Sequence, residues 1–308
     1  MLIHISITRF MLNKLLGLSK RLHALAKVRV NRAGQGLVIP ISVDGGLDHI
    51  YWTKSWKTEL IERLVNKDGG AFIDVGANIG QTLLDLRTVH AEVQYMGFEP
   101  NSTCIVYLKR LILANGFSNC LIVPVGLADE NRILSFYRLK DAPTDSCGTI
   151  LSELRPDRLY DIDFVASFRF DDIRNSLIKR SIGFVKVDVE GAELETLSGM
   201  RTSIEESRPP ILCEVLFTDS KADLSTQKLR NDQLVQLLTD LNYMVLQLIK
   251  SSDNAHVVDA KQIQNFHSTY WTSENQDLCD YLFIPKEKVA HVLNALLPVR
   301  DSGCGQSS

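Results

Sequence analysis

The chain has 308 residues, enough for one large α/β domain with additions or for two small ones, and its 45% hydrophobic and 23% charged composition is that of an ordinary globular protein. Its formal net charge of −3 is unevenly spread, because Met1 to Val43 holds seven basic residues and no acid, leaving the remainder at −10. An acidic body argues against a nucleic-acid partner, which would need a basic face, and no uninterrupted apolar run approaches the roughly 20 residues of a membrane span.

From Ile5 to Val30, Phe10, Met11, Leu15, Leu18, Leu22, Leu25 and Ala26 recur at helical spacing between basic residues, which predicts a basic amphipathic helix. Three roles compete for it: packing on the body or on a sister subunit, a peripheral membrane anchor, and a targeting segment, although Arg9 interrupts any signal-peptide core. Leu37 to Tyr51, around Asp44-Gly45-Gly46, suggests a small hairpin, so residues 1–66 are expected to form an N-terminal extension. Residues 67–298 would be the main domain, and residues 299–308 a disordered tail. Glu59 to Val65 is a short helix, and His49, Tyr51, Trp52 and Trp56 before the main domain are either core residues or part of a lid.

The main domain starts with the apolar run Ala71 to Val75, read as a buried parallel strand, and continues into Gly76-Ala77-Asn78-Ile79-Gly80 and a helix from Gln81 to Val89. Such a turn lies at a sheet's carboxyl edge, where open α/β sheets bind ligands. Its G-x-x-x-G spacing lacks the phosphate-cradling G-x-G-x-x-G, and an acid at Asp74 would repel a pyrophosphate. A ligand with an ammonium group, such as the methionine part of S-adenosylmethionine, fits better, with Asp74 and Gly76 as candidate contacts. Glu99 ends the next apolar run, Val93 to Phe98, where a carboxylate can accept hydrogen bonds from both ribose hydroxyls. The competing reading is an ordinary βαβ turn with surface acids.

Asn101 caps a helix that runs to Ala114 and is stopped by Asn115-Gly116. Cys120 to Val125 is a third strand, followed by Asp129, either an acceptor for the adenine amino group or part of a solvated acidic turn. Arg132 to Arg138 alternates as a strand, Lys140 to Asp163 is a turn-rich insertion placed to reach over the site, and Val165 to Phe170 is strand-like. Gly183 to Glu193 repeats the strand-to-acid pattern, ending in Asp188 and Glu190, with Lys186 inside the strand needing a carboxylate partner. Strands follow at Ile211 to Val215, which holds Glu214, at Tyr243 to Ile249, and at Tyr281 to Ile284; helices are expected at Gln227 to Leu241 and Val289 to Leu297, and Asp253 to Trp271 is polar and irregular. Six cysteines without C-x-x-C spacing, Cys120 and Cys213 inside apolar runs, read as buried thiols in a reducing compartment, so neither a zinc site nor a catalytic cysteine is expected, and a divalent metal held by the acids stays an open alternative. The alternation of strands and helices predicts a doubly wound, Rossmann-like α/β sheet.

DVGANIG at Asp74 to Gly80, GFEP at Gly97 to Pro100, FVKVDVEGAE at Phe184 to Glu193 and YLFIPKEK at Tyr281 to Lys288, in that order, resemble the FkbM-type methyltransferases over about Gly69 to Lys288. The resemblance implies a class I fold dependent on S-adenosylmethionine, usually seven-stranded with an antiparallel last strand, and methyl transfer to oxygen, often on a sugar, glycan or secondary metabolite. It implies that Asp74, Gly76, Asn78 and Gly80 hold the methionine part, that Glu99 holds the ribose, and that Asp188 with Glu190 faces the transfer site. The general base is expected at Asp188 or Glu190, with His49 and His267 as rivals. The alternative function is a non-catalytic scaffold that keeps the fold and docks through its basic helix. A cytoplasmic enzyme, membrane-associated if that helix anchors it, acting on a hydroxyl substrate and with homo-oligomerisation open, is the resulting expectation.

Overall fold

The structure is a computed structural model that describes residues 26–297 apart from 33, 42–44, 47–48, 51–54, 141–143, 145, 155, 157 and 220–221. Most of the expected N-terminal helix, Tyr51, Trp52, Pro143, Cys304 and the expected tail therefore lie outside the described residues. Among the described residues, no helix is long and apolar enough to cross a membrane.

The first described elements correct the N-terminal expectation. Strands β1 (Ala26–Arg32) and β2 (Gln35–Ile41) pair antiparallel, so the end of the expected helix is a strand and the hairpin begins upstream of the expected one, sharing only Leu37 to Ile41 with it. Lys27, Val28, Arg29 and Val30 alternate polar and β-branched residues, a period-2 signal masked by the upstream helical spacing. The hairpin packs on the main body, with Leu37, Ile39 and Ile41 of β2 buried in its core. Asn115 exchanges two 2.7 Å hydrogen bonds with the backbone of Val38, and the Tyr107 hydroxyl donates to the Pro40 carbonyl.

Helix α1 (Trp56–Leu64) leads to β3 (Ala71–Val75), which runs into α2 (Gln81–Val89) and β4 (Tyr95–Phe98). Helix α3 (Ser102–Asn115) begins where Asn101 accepts a hydrogen bond from the Thr103 N–H and ends at Gly116, whose φ of 62° is left-handed. It returns the chain to β5 (Cys120–Val123). An excursion through β6 (Gly126–Leu127), β7 (Arg132–Leu139) and β8 (Tyr160–Phe168) forms a separate three-stranded sheet. The main sheet resumes after α4 (Phe170–Leu177) with β9 (Ile182–Val187), and helices α5 (Glu193–Gly199) and α6 (Arg201–Ser207) precede β10 (Ile211–Glu214). Helix α7 (Leu224–Asp240), β11 (Tyr243–Lys250), β12 (Val257–Ile263), β13 (Asp280–Pro285) and α8 (Val289–Leu296) complete the fold.

The main sheet has eight strands in the order β12-β11-β13-β10-β9-β3-β4-β5. Pairs β9-β3, β3-β4, β4-β5 and β10-β9 are parallel, and β13, the last strand of the chain, runs antiparallel to both its neighbours. The eighth strand is β12, within the stretch expected to be irregular; its residues are mostly exposed, so it lacks the apolar pattern of the inner strands.

Strand alternation divides the core between the two faces of the sheet. Ala71, Ile73, Val75, Val185, Val187, Ile211 and Cys213 bury against α4 to α7 on one face. Phe72, Tyr95, Phe184, Leu212, Leu248 and Leu282 bury against α1, α2, α3 and α8 on the other. Phe72 stacks on Phe184 and on Tyr95, with ring centroids 5.3 and 6.2 Å apart, so an aromatic row crosses the three central strands.

Candidate active site

The aromatic face ends in charges, because strand phase carries the same alternation to the carboxyl ends. Asp74 shares the phase of Phe72, and Lys186 and Asp188 that of Phe184. Glu214 follows Leu212, Asp280 precedes Leu282, and Lys250 follows Leu248. Register then brings them together, pairing Asp74 with Lys186 across β3 and β9 and Glu214 with Asp280 across β10 and β13. The Lys186 ammonium lies 3.3 Å from Asp74 Oδ1, 3.3 Å from Asp188 Oδ2 and 2.8 Å from the Gly76 carbonyl, so its burial is compensated by two anions and a hydrogen bond.

This arrangement corrects the reading of Asp74. Its carboxylate is fully buried, accepts the Tyr95 hydroxyl at 2.6 Å, and already has an ammonium partner in Lys186, so it does not face a ligand. Burial raises its pKa above the carboxylate range against the pull of Lys186 and Tyr95.

A cleft opens beside these strand ends, the edge at which open α/β sheets bind ligands. Its walls include Gly76, Asn78, Glu99, Asp188 and Glu190 among the expected contacts, with Phe136, Thr149 and Ile150 arriving from the excursion between β5 and β9. The Glu99 carboxylate accepts the N–H groups of Asn78 and Asn101, each at 2.8 Å and one on each oxygen, leaving lone pairs on both for a ligand. Burial pushes its pKa up to about 7 despite these two hydrogen bonds.

Gly80 and Asp129 are not walls of this cleft. Gly80 begins α2 in a left-handed conformation, and a Cβ there would lie 2.6 Å from Leu108 and 2.9 Å from Leu111, so its role is to let α2 approach α3. Asp129 is exposed. Gly76 does line the cleft, but a Cβ there would stand 1.9 Å from the Asp188 carbonyl, so the close approach it permits is first of all between two strand ends.

Asp188 keeps 26% of its side chain exposed and is thus within reach of a ligand. Burial works to raise its pKa, but Lys186 and Lys57 outweigh it and hold the group below the usual carboxylate range. Glu214 moves the opposite way, up to about 8, through burial and the neighbouring Asp188 anion. A hydrogen bond joins the two carboxyls, and the Cys279 thiol donates to Glu214 Oε1 at 3.2 Å. Two carboxyl groups pushed apart in this way form one anion and one proton carrier. Lys57 and Glu214 thus act on Asp188 from outside the cleft wall; Glu214 is visible in the sequence as an acid ending an apolar run, whereas Lys57 carries no such mark.

The rival bases lie elsewhere. His49 is buried, its Nε2 is 3.0 Å from the Ile79 carbonyl, and burial lowers its pKa to about 4. His267 is exposed and not a wall of the cleft. Trp56 is a core residue whose ring takes the Lys250 ammonium at 5.2 Å.

Strand order, an antiparallel final strand and a cleft at the carboxyl ends define a class I methyltransferase fold. The profile of the methyltransferase FkbM domain matches residues 74–245, more than half of the chain, and the chain belongs to the FkbM methyltransferase family. No curated protein matches it. Among solved structures, the methyltransferase FkbM from Methylobacillus flagellatus KT is similar at a TM-score of 0.40 and 18% identity over 70% of this chain, which spans 43% of that one. A precorrin-6y C5,15-methyltransferase from Geobacter metallireducens GS-15 matches at 0.37 and 11% identity, covering 74% of this chain and 84% of that one. A SAM-dependent methyltransferase from Aquifex aeolicus matches at 0.38 and 9% identity, covering 75% and 89%.

Proposed function

We propose that the chain is an S-adenosylmethionine-dependent O-methyltransferase acting on a hydroxyl of a sugar, glycan or secondary metabolite. The observation that carries this reading is the Glu99 carboxylate, held by two backbone N–H groups in the wall of a strand-end cleft with one free lone-pair set on each oxygen. That geometry suits a vicinal diol, which can donate one hydrogen bond to each oxygen.

S-adenosylmethionine, when bound, supplies an activated methyl group on sulfur. The chain's own task is then to hold the acceptor oxygen in line and to take its proton. Glu99 would bind the ribose, the Gly76 to Asn78 turn would border the methionine part, and Asp188 with Glu190 would face the transfer site. Held as an anion by two lysines, Asp188 is a weak base and better suited to orienting a hydroxyl. Glu214, directly behind it, is better matched to carry the proton near neutral pH.

Calorimetry with S-adenosylhomocysteine tests the cofactor reading: saturable binding is expected, and its absence overturns the proposal. A panel of hydroxylated acceptors incubated with S-adenosylmethionine, scored for S-adenosylhomocysteine release, tests the acceptor class. Turnover confined to amines would refute O-methylation.

A further inference from the structure

Residues 146–150 form a strap across the cleft, of which Ser146, Gly148, Thr149 and Ile150 are wall residues. Thr149 fastens the strap. The Thr149 backbone donates to and accepts from Tyr137 of β7, at 3.0 and 2.8 Å. Its side chain, only 1% exposed, donates to the Glu190 carbonyl at 2.9 Å and accepts the Leu151 N–H at 3.0 Å. One buried hydroxyl therefore joins the excursion between β5 and β9 to the turn after β9.

The partner of that hydroxyl is in an unusual state. Glu190 has a φ of 58°, a left-handed conformation that a long side chain rarely adopts and that persists only where surroundings enforce it. Val189 and Glu190 both line the cleft, so the conformation of this turn helps to set the shape of its wall.

We propose that Thr149 is a positioning residue for cofactor binding: its hydroxyl clamps the Glu190 carbonyl, holds the turn left-handed, and fixes the strap as the outer wall of the cleft. The inference rests on the cofactor reading of that cleft. The required chemistry is a hydroxyl in a buried, branched side chain, which donates to one carbonyl while accepting from one N–H. Valine has the shape and lacks both functions, whereas serine has both functions and lacks the methyl.

The test is calorimetry with S-adenosylhomocysteine on the full chain, with melting temperature measured alongside. Thr149→Val is expected to weaken binding about tenfold, the scale of a left-handed conformation no longer enforced at Glu190, and Thr149→Ser to stay within about twofold of wild type. In a Glu190→Asn background, where asparagine takes the left-handed conformation more readily, Thr149→Val should cost about threefold or less. A generalised packing defect would show no such coupling. Wild-type affinity in Thr149→Val, an equal loss in Thr149→Ser, or a full tenfold loss persisting beside Glu190→Asn would each overturn the assignment. Should Thr149→Val fold poorly, Thr149→Ala against Thr149→Ser makes the same comparison. Absence of binding by the wild type would instead strike the cofactor reading itself.

Discussion

The Nζ of Lys186 stands 3.3 Å from Oδ1 of Asp74, on neighbouring strands whose register sets the two residues side by side. The acid that the first motif displays is thus engaged inside the sheet, and the cation that engages it comes from the third motif. Lys186 also reaches Asp188, so it ties the first strand end to the fourth. Replacing it with methionine leaves buried Asp74 without its ammonium partner and Asp188 with Lys57 as its remaining counter-charge.

Lys186→Met should therefore lower unfolding stability at pH 8 by about 3 kcal/mol or more, as removal of one partner of a buried ion pair does. Urea unfolding measures it. The deficit should shrink as pH falls, because protonating Asp74 removes the stranded charge. A loss below about 1 kcal/mol at pH 8 would mean that the pair is not structural.

Glu99 gives cofactor binding a pH dependence with a definite sign. Its carboxyl is pushed up to about 7, and a diol donates better to the anion, so S-adenosylhomocysteine should bind more tightly as pH rises from 6 to 8. The same shift destabilises the unliganded fold as pH rises toward 7, since the folded state holds the proton more strongly than the unfolded one. Glu99→Gln should weaken binding and flatten its pH profile. An unchanged profile would remove Glu99 from the ribose position.

The Asp188 and Glu214 pair predicts opposite linkages. Glu214, raised to about 8, costs stability as pH climbs toward that value, so Glu214→Gln should gain on wild type between pH 6 and pH 9. Asp188, held low by its lysines, contributes stability that is present above the ordinary carboxylate range and lost as pH falls through its depressed value. Asp188→Asn should accordingly lose most at neutral pH and converge with wild type in acid. Melting curves across pH read both effects, and parallel curves for Glu214→Gln and wild type would refute the shared proton.

Two glycines separate conformational cost from collision. Gly76→Ala places a methyl 1.9 Å from the Asp188 carbonyl at a φ of +78°, while Gly116→Ala, at a φ of +62°, meets nothing within 4 Å. Gly116→Ala should cost about 1 to 2 kcal/mol, the penalty of a left-handed alanine alone. Gly76→Ala should cost at least about 2 kcal/mol beyond that, because backbone must move. Equal losses in chemical denaturation would show that the strand ends yield easily.

The sheet was largely legible in the sequence because its inner strands are short apolar runs bounded by turn residues, as at Ala71 to Val75 and Ile211 to Glu214. Strand β12 was not, since an edge strand with one neighbour needs no apolar pattern. The site was legible wherever an acid ends an apolar run, which located Glu99, Asp188 and Glu190 at the cleft. Which way a strand-end acid points depends on phase and register. Asp74 shares the phase of Phe72 and so turns to the aromatic face, and only the pairing of β3 with β9 shows that Lys186 meets it there. Thr149 carried no sequence mark, because its role depends on two segments 41 residues apart coming together.

Strand β12 also bears on how the molecule behaves at high concentration. Without it, the edge of the main sheet would be β11, an eight-residue strand containing Val245, Leu246, Leu248 and Ile249. An open apolar edge of that length is a template for strand addition by another chain. Strand β12 covers it with Asp259 and Lys261, and the opposite edge, β5, is only four residues long. Both borders of the sheet are thereby poor templates, the first by charge and the second by brevity. Sheet extension is disfavoured by the same segment whose polar composition concealed it as a strand.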